Sequence, residues 1–298
     1  MYCVLALKRG SNMAKIQVTS FYHQDTQTFC HLIIDDETKS SALVDPVMDY
    51  SPAGGRFRYE FIDLVLDFIK CNQLHLLWVL ETHIHADHLT AAQYVKEHTG
   101  AQVVSGASVK SVQRHFDEMF DLNSCAESLF DKLLESGDSL PLGAGNIEVM
   151  ATPGHTQSCL TYVLKNQESV AAFIGDTLFM PDIGSARCDF PGGSAAMLFD
   201  SIQSIYALGD KAELYLCHDY PPSSRQEVAS VCVAAQKQNN IHCSQAIGKE
   251  QFISIRTKRD ANLAPPRLLL PSLQVNIRAG VLPAADAQGR RFLRIPLH

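Results

Sequence analysis

The chain has 298 residues, 46% hydrophobic and 19% charged, the make-up of a folded globular protein and not of a disordered or collagen-like one. A net charge of -7 argues against nucleic acid as a partner, and no apolar run reaches the ~18 residues that a membrane-spanning helix needs. Nine cysteines without a CxxC pair, and no convincing signal-peptide pattern, point to reduced thiols and a cytoplasmic setting.

In chain order, residues 1–13 read as a tail, with a cleaner strand pattern opening at Met13. IQVTSFYH, TFCHLIID and SALVDP are short, rich in β-branched and aromatic residues, and separated by polar turns, so they predict an antiparallel meander. YEFIDLVLDFIK carries apolar residues at helical spacing (Phe61, Leu64, Val65, Phe68, Ile69). LHLLWVL is a continuous apolar run and predicts a buried central strand. LTAAQYVKEHTG predicts a helix capped by Gly100, AQVVSG a strand, and VKSVQRHFDEMF and ESLFDKLLES two helices. Two strands around a glycine turn follow in SLPLGAGNIEVMATP, then two more in CLTYVLK and SVAAFIGD. After a Gly/Pro-rich loop, AAMLFDSIQSIYALG reads as a helix, ELYLCHDY as a strand, and SRQEVASVCVAAQKQ as a helix capped by Ser223 or Ser224. Beyond Phe252 periodicity fades and prolines accumulate. The expected organisation is one α/β domain over 14–245, with helices outside two sheets, and a C-terminal extension over 246–298 packed on it.

The segment Thr82-His83-Ile84-His85-Ala86-Asp87-His88 places three imidazoles and a carboxylate at the end of the predicted central strand. A dry core does not tolerate that much polarity without a partner, and a metal ion is the natural partner of imidazole and carboxylate. His155 in the turn TPGHT, Asp176 after AAFIG and His218 after ELYLC are further ligand-type residues at strand ends. Together they predict one metal-binding rim.

This His-x-His-x-Asp-His set, followed by single His, Asp and His, resembles the metallo-β-lactamase superfamily over residues 14 to 245, and implies its αβ/βα sandwich of two mixed sheets flanked by helices. THIHADHLTAA, PGHTQSCLTYV, GDTLFMPDIGSARCDFPGG and PSLQVNIRAG resemble the persulfide dioxygenases, closest to their bacterial branch without a rhodanese fusion. The resemblance implies one Fe(II) per chain on His83, His155 and Asp176, with His85, Asp87, His88 and His218 lining the site. It implies oxidation of glutathione persulfide by O2 to sulfite and glutathione, in sulfide detoxification. A separate rhodanese sulfurtransferase and a homodimer are compatible with it. Arg187 and Tyr220 are the candidates for catalytic and substrate contacts, and Arg259, Asn276 and Arg278 are weaker substrate-binding candidates. The same seven residues could instead hold two zinc ions, as in a glutathione thioesterase of the glyoxalase II type. Spacing alone leaves that choice open.

Overall fold

The computed structural model describes residues 16–122, 129–165 and 169–297, so the tail over 1–13 lies outside the described residues. The meander forms as expected. β1 (Ile16–His23), β2 (Thr28–Asp35) and β3 (Ser40–Val44) pair antiparallel, with Phe21 opposite Cys30 and Leu32 opposite Leu43. The hairpin β4 (Val47–Ser51) and β5 (Arg56–Arg58) comes next, and then α1 (Glu60–Cys71). The face of α1 bearing Phe61, Ile62, Val65 and Ile69 is buried, as its spacing requires.

The apolar run is β6 (His75–Leu80), which lies between β3 and β8 (Gln102–Gly106) and is parallel to both. Between these two strands come β7 (Leu89–Thr90), which pairs with β4, and α2 (Ala92–Thr99). α2 stops at Gly100, whose φ of 76° provides the left-handed cap. After α3 (Val109–Phe120), β9 (Lys132–Leu134) completes a six-stranded sheet in the order β1-β2-β3-β6-β8-β9. A helix over 127–136 is therefore not what forms in its described part: Lys132 and Leu134 pair in parallel with Val104 and Gly106.

A second six-stranded sheet contains β10 (Ser139–Leu142), β11 (Gly145–Ala151), β12 (Leu160–Lys165), β13 (Val170–Phe173), β14 (Glu213–Tyr215) and β15 (Ser230–Cys232), in that order. Helix α4 (Ala195–Tyr206) links β13 to β14, and Ser194 caps it by accepting from the Met197 amide. The helix expected over SRQEVASVCVAAQKQ is a strand followed by a short helix. Ser230–Cys232 pairs with β14, and α5 (Val233–Asn239) begins only after Cys232. The region past Phe252 is more ordered than its fading periodicity predicts: α6 (Lys249–Asp260) and α7 (Leu269–Asn276) occupy it.

The layers follow from where the apolar side chains point. Ile33, Val44, Trp78 and Leu80 from the first sheet meet Ile147, Val149, Tyr162 and Phe173 from the second in a core between the sheets. The outer face of the first sheet packs on α1, α2, α3 and α7, and that of the second on α4, α5 and α6. Each fully buried aliphatic or aromatic side chain contributes about 1.5–3 kcal/mol, so both sheets are held from two sides. This helix–sheet–sheet–helix sandwich bears out the expected fold. Its seven described cysteines are all free, and no described helix is long and apolar enough to cross a membrane.

Candidate metal centre

Four chain segments meet at one edge of the sandwich. The 83–88 loop leaves β6, the 152–159 turn joins β11 to β12, Asp176 follows β13 by three residues, and His218 follows β14 by the same interval. The sheets are tied together there: Leu160 N–H donates to Thr82 O at 2.8 Å, and the Tyr162 hydroxyl donates to Glu81 O at 2.9 Å. Gly154 has a φ of 139°, and a Cβ there would come within 2.3 Å of the Leu198 amide. Glycine thus lets the His155 turn sit on the first turn of α4, where the Ser194 amide donates to Gly154 O at 2.8 Å.

The structure brings all seven predicted ligand-type residues together. Asp176 occupies the middle. Its Oδ2 lies 3.8 Å from His83 Nε2 and 3.7 Å from His155 Nε2, while its Oδ1 lies 3.4 Å from His218 Nε2. Asp87 Oδ2 lies 3.0 Å from His218 Nε2, and Asp87 Oδ1 lies 3.6 Å from His88 Nδ1. His83, His155 and Asp176 offer ligand atoms within 4.8 Å of one another, and so do His85, Asp87 and His88.

Each imidazole has one nitrogen anchored. His83 Nδ1 is 3.1 Å from Thr82 Oγ1, His85 Nε2 is 3.0 Å from Asp45 Oδ1, and His88 Nδ1 is 3.5 Å from Thr28 Oγ1. His155 Nδ1 donates to Arg187 O at 2.7 Å, and His218 Nδ1 to Gln27 O at 3.0 Å. Against these, His83 Nε2, His85 Nδ1, His88 Nε2, His218 Nε2 and Asp176 Oδ1 are buried with no hydrogen-bond partner. Leaving one buried polar group unpaired costs about 1–3 kcal/mol, and five converging on one spot fit a metal-binding centre. His85 differs from the others in presenting Nδ1, because Asp45 and Glu81 lie on its Nε2 side.

The charges agree with this arrangement. Burial opposes charge on Asp45, but the His85 imidazole and the Thr82 donors hold its carboxyl below the usual range. Burial likewise opposes charge on His218, yet the carboxylates of Asp87 and Asp176 outweigh it and raise the imidazole to about 9 in the metal-free chain. A proton and a metal therefore compete for His218 Nε2. Asp45, Glu81 and Thr28 escaped sequence reading, although Asp45 stands in the strand-end triplet Val44-Asp45-Pro46.

The centre opens into a cavity of about 470 Å³ lined by Asp87, His155, Asp176, Phe179, Phe190 and Tyr220, with Arg187, Arg256, Arg259 and Arg267 around them. The Tyr220 ring stacks on His218 at 5.5 Å, and burial raises its phenol well above its ordinary value, which keeps it a donor. Arg187 lines the cavity, but its guanidinium forms a two-pronged pair with Asp189 at 2.6 Å and donates to Ala264 O at 2.8 Å. Arg259 is exposed on the cavity wall. Asn276 and Arg278 are not among the lining residues. Asn276 is 2% exposed and donates to His85 O and His88 O, both at 2.8 Å, while its Oδ1 accepts from the Thr90 amide. Arg278 is partly buried, and its Nε has no partner.

With this sandwich and this seven-residue rim, the chain belongs to the metallo-beta-lactamase superfamily, whose family profile matches residues 23–218. It is a metal-dependent enzyme of that superfamily. Among individual relatives it is 43% identical to a probable metallo-hydrolase of Burkholderia pseudomallei, over 94% of this chain and 98% of the other. It is 42% identical to glyoxylase B2 of Dictyostelium discoideum, over 97% and 98%. The human mitochondrial persulfide dioxygenase ETHE1 stands at 29%, over 92% of each. Among solved structures, ETHE1 from Myxococcus xanthus superposes with a TM-score of 0.70 at 28% identity, covering 89% of this chain and 99% of that one.

Proposed function

We propose that the chain is a metal-dependent hydrolase that cleaves a glutathione thioester at a pair of zinc ions. The observation that carries this reading is the doubled donor set. His83 Nε2 and His155 Nε2 face Asp176 Oδ2, His218 Nε2 faces Asp176 Oδ1 and Asp87 Oδ2, and His85, Asp87 and His88 form a second cluster of ligand atoms beside them. The relatives at 43% and 42% identity bear hydrolase and glyoxylase names, which back hydrolysis better than persulfide oxidation.

Zinc bound there would supply a Lewis acid and a water acidified to a pKa of about 7. The chain's own residues position everything else. Asp45 accepts from His85 Nε2–H, and Arg187 O accepts from His155 Nδ1–H, so both rings keep their free nitrogens inward. The protonated Tyr220 phenol can donate to the oxygen or sulfur of a substrate in the cavity. The exposed guanidinium groups of Arg259 and Arg267 suit the two carboxylates of a glutathione body.

A second reading, persulfide oxidation at one Fe(II), is supported by the full-length likeness to the human and Myxococcus ETHE1 proteins. The compact set His83, His155 and Asp176 also supports it, since two imidazoles and one carboxylate are the ligand pattern of non-haem iron oxygenases. In that reading the substrates are glutathione persulfide and O2, and any rhodanese sulfurtransferase partner would be a separate protein. Parallel assays decide between the two. S-lactoylglutathione hydrolysis without O2 uptake on glutathione persulfide is expected; O2 uptake without hydrolysis overturns the hydrolase reading in favour of the second.

A further inference from the structure

A line of polar side chains runs from His88 and His218 to a second cavity, which shares Asp25 and Arg267 with the first. Thr28 Oγ1, on β2, lies 3.5 Å from His88 Nδ1 and 3.3 Å from His218 Nδ1. Thr28 Oγ1 is 2.9 Å from Thr26 Oγ1 and 3.3 Å from Thr26 O. Thr26 Oγ1 is 2.7 Å from His23 Nδ1, and His23 Nε2 is 3.2 Å from Asp49 Oδ1. Asp49 Oδ2 accepts from the Phe61 amide at 2.9 Å, at the start of α1. Asp49 lines a cavity of about 300 Å³ formed with Asp25, Tyr50, Arg56, Arg58 and Arg267. His23 itself is 1% exposed and packs edge-on against Phe61.

We infer that Asp49 is a positioning residue that sets the tautomer of His88 through this line of hydrogen bonds. The direction of the bonds as far as Thr26 follows from the chemistry of one end. An ionised carboxylate can only accept, so His23 must carry its proton on Nε2 and leave Nδ1 bare. A bare Nδ1 can only accept, so the Thr26 hydroxyl donates to it. With its proton committed, Thr26 can only accept from Thr28, and the Thr28 proton points at Thr26 whether it meets Oγ1 or the carbonyl. Thr28 Oγ1 is thereby left as an acceptor for the Nδ1–H groups of both His88 and His218. The His88 ring then presents a lone pair on Nε2, an atom found buried and unpartnered at the centre. His218 has a second anchor in Gln27 O at 3.0 Å, whereas His88 Nδ1 has only Thr28 and the Asp87 carboxylate at 3.6 Å. His88 is therefore the ring that depends more on the line.

The decisive variant is Asp49→Asn. If its carbonyl keeps the Phe61 amide, its NH2 faces His23 Nε2 and Thr26 then donates to Thr28 Oγ1, so that the Thr28 oxygen is occupied as an acceptor and loosens its hold on the His88 Nδ1–H. The tautomers are read in the metal-free chain by NMR of 15N-labelled histidine, and the affinity for the second ion by competitive zinc titration. Its effect on metal affinity rests on the two-ion reading, whereas the tautomers do not.

In the parent, His23 is expected as the Nε2–H form and His88 as the Nδ1–H form. In Asp49→Asn, His23 should switch to Nδ1–H, His88 should lose its single tautomer, and His218 should change little. Second-ion affinity should fall about tenfold or more. Thr28→Val, which removes the hydroxyl without changing shape, should reproduce the His88 result, and Thr28→Ser should restore it. A switch at His23 with His88 unchanged overturns the inference, as does Thr28→Val with the parent's His88 tautomer. A parent that binds one ion defeats the two-ion reading alone, since the tautomers still decide the positioning role.

Discussion

At the residue scale, the two faces of Asp176 are the feature on which metal binding turns. Its Oδ2 faces His83 and His155 and its Oδ1 faces His218, whereas Asp87 lies against His88 and His218 and clusters with His85. Asp176→Ala should therefore lose nearly all bound metal, and Asp87→Ala should retain about one ion per chain, as metal analysis would show. Equal loss in both variants contradicts the division. His31 gives a prediction that does not involve the metal. Burial disfavours its cation and lowers its imidazole from 6.5 to about 4, only partly offset by the Leu216 carbonyl that accepts from Nε2 and by Asp45. A base with a depressed pKa contributes stability that is complete above pH 6.5 and is lost as pH falls through 4, up to about 3 kcal/mol. Thermal midpoints of His31→Gln should accordingly fall less steeply than the parent's between pH 6.5 and 4; parallel slopes would exclude the effect. All seven metal-type residues were legible because they stand at strand ends in the sequence. Thr28 and Asp45 were not, because the rings they hold lie 60 and 40 residues away, and nothing local marks them.

At the element scale, the turn carrying His155 depends on one backbone conformation. At Gly154 the φ of 139° and the approach of Leu198 leave no room for a side chain. Gly154→Ala should lower stability by about 1–3 kcal/mol and displace His155, so that a lower thermal midpoint comes with weaker metal binding. A variant that melts earlier but binds metal like the parent would separate the turn from the centre. The elements read correctly from sequence were those whose own periodicity settles them, such as α1 with its buried Phe61, Ile62, Val65 and Ile69. The strands β9 and β15 were misread because each has three residues and exists only through its partner. Lys132–Leu134 needs β8, and Ser230–Cys232 needs β14, while their flanks carry helix-forming residues. α6 went unseen for a related reason: only Phe252, Arg256 and Asp260 of its residues are buried, too few to mark a stripe.

At the scale of the whole molecule, the C-terminal extension is a structural partner of the metal loop. Asn276, at the end of α7, donates to the carbonyls of His85 and His88 and accepts from the Thr90 amide, across 186 or more residues of sequence. Asn276→Ala leaves those three buried groups unpaired at about 1–3 kcal/mol each, so both the thermal midpoint and the metal affinity should drop. Loss of substrate affinity alone, with metal and stability intact, would instead return Asn276 to the substrate contacts expected from its motif. The proposed hydrolase needs two ions at the sandwich edge, and Asp176 would help to hold them. The most direct test is the metal content of the purified parent chain, measured by mass spectrometry after reconstitution with zinc and with iron in competition. About two zinc ions per chain are expected; a single tightly held iron would instead favour persulfide oxidation and rule out the two-ion hydrolase.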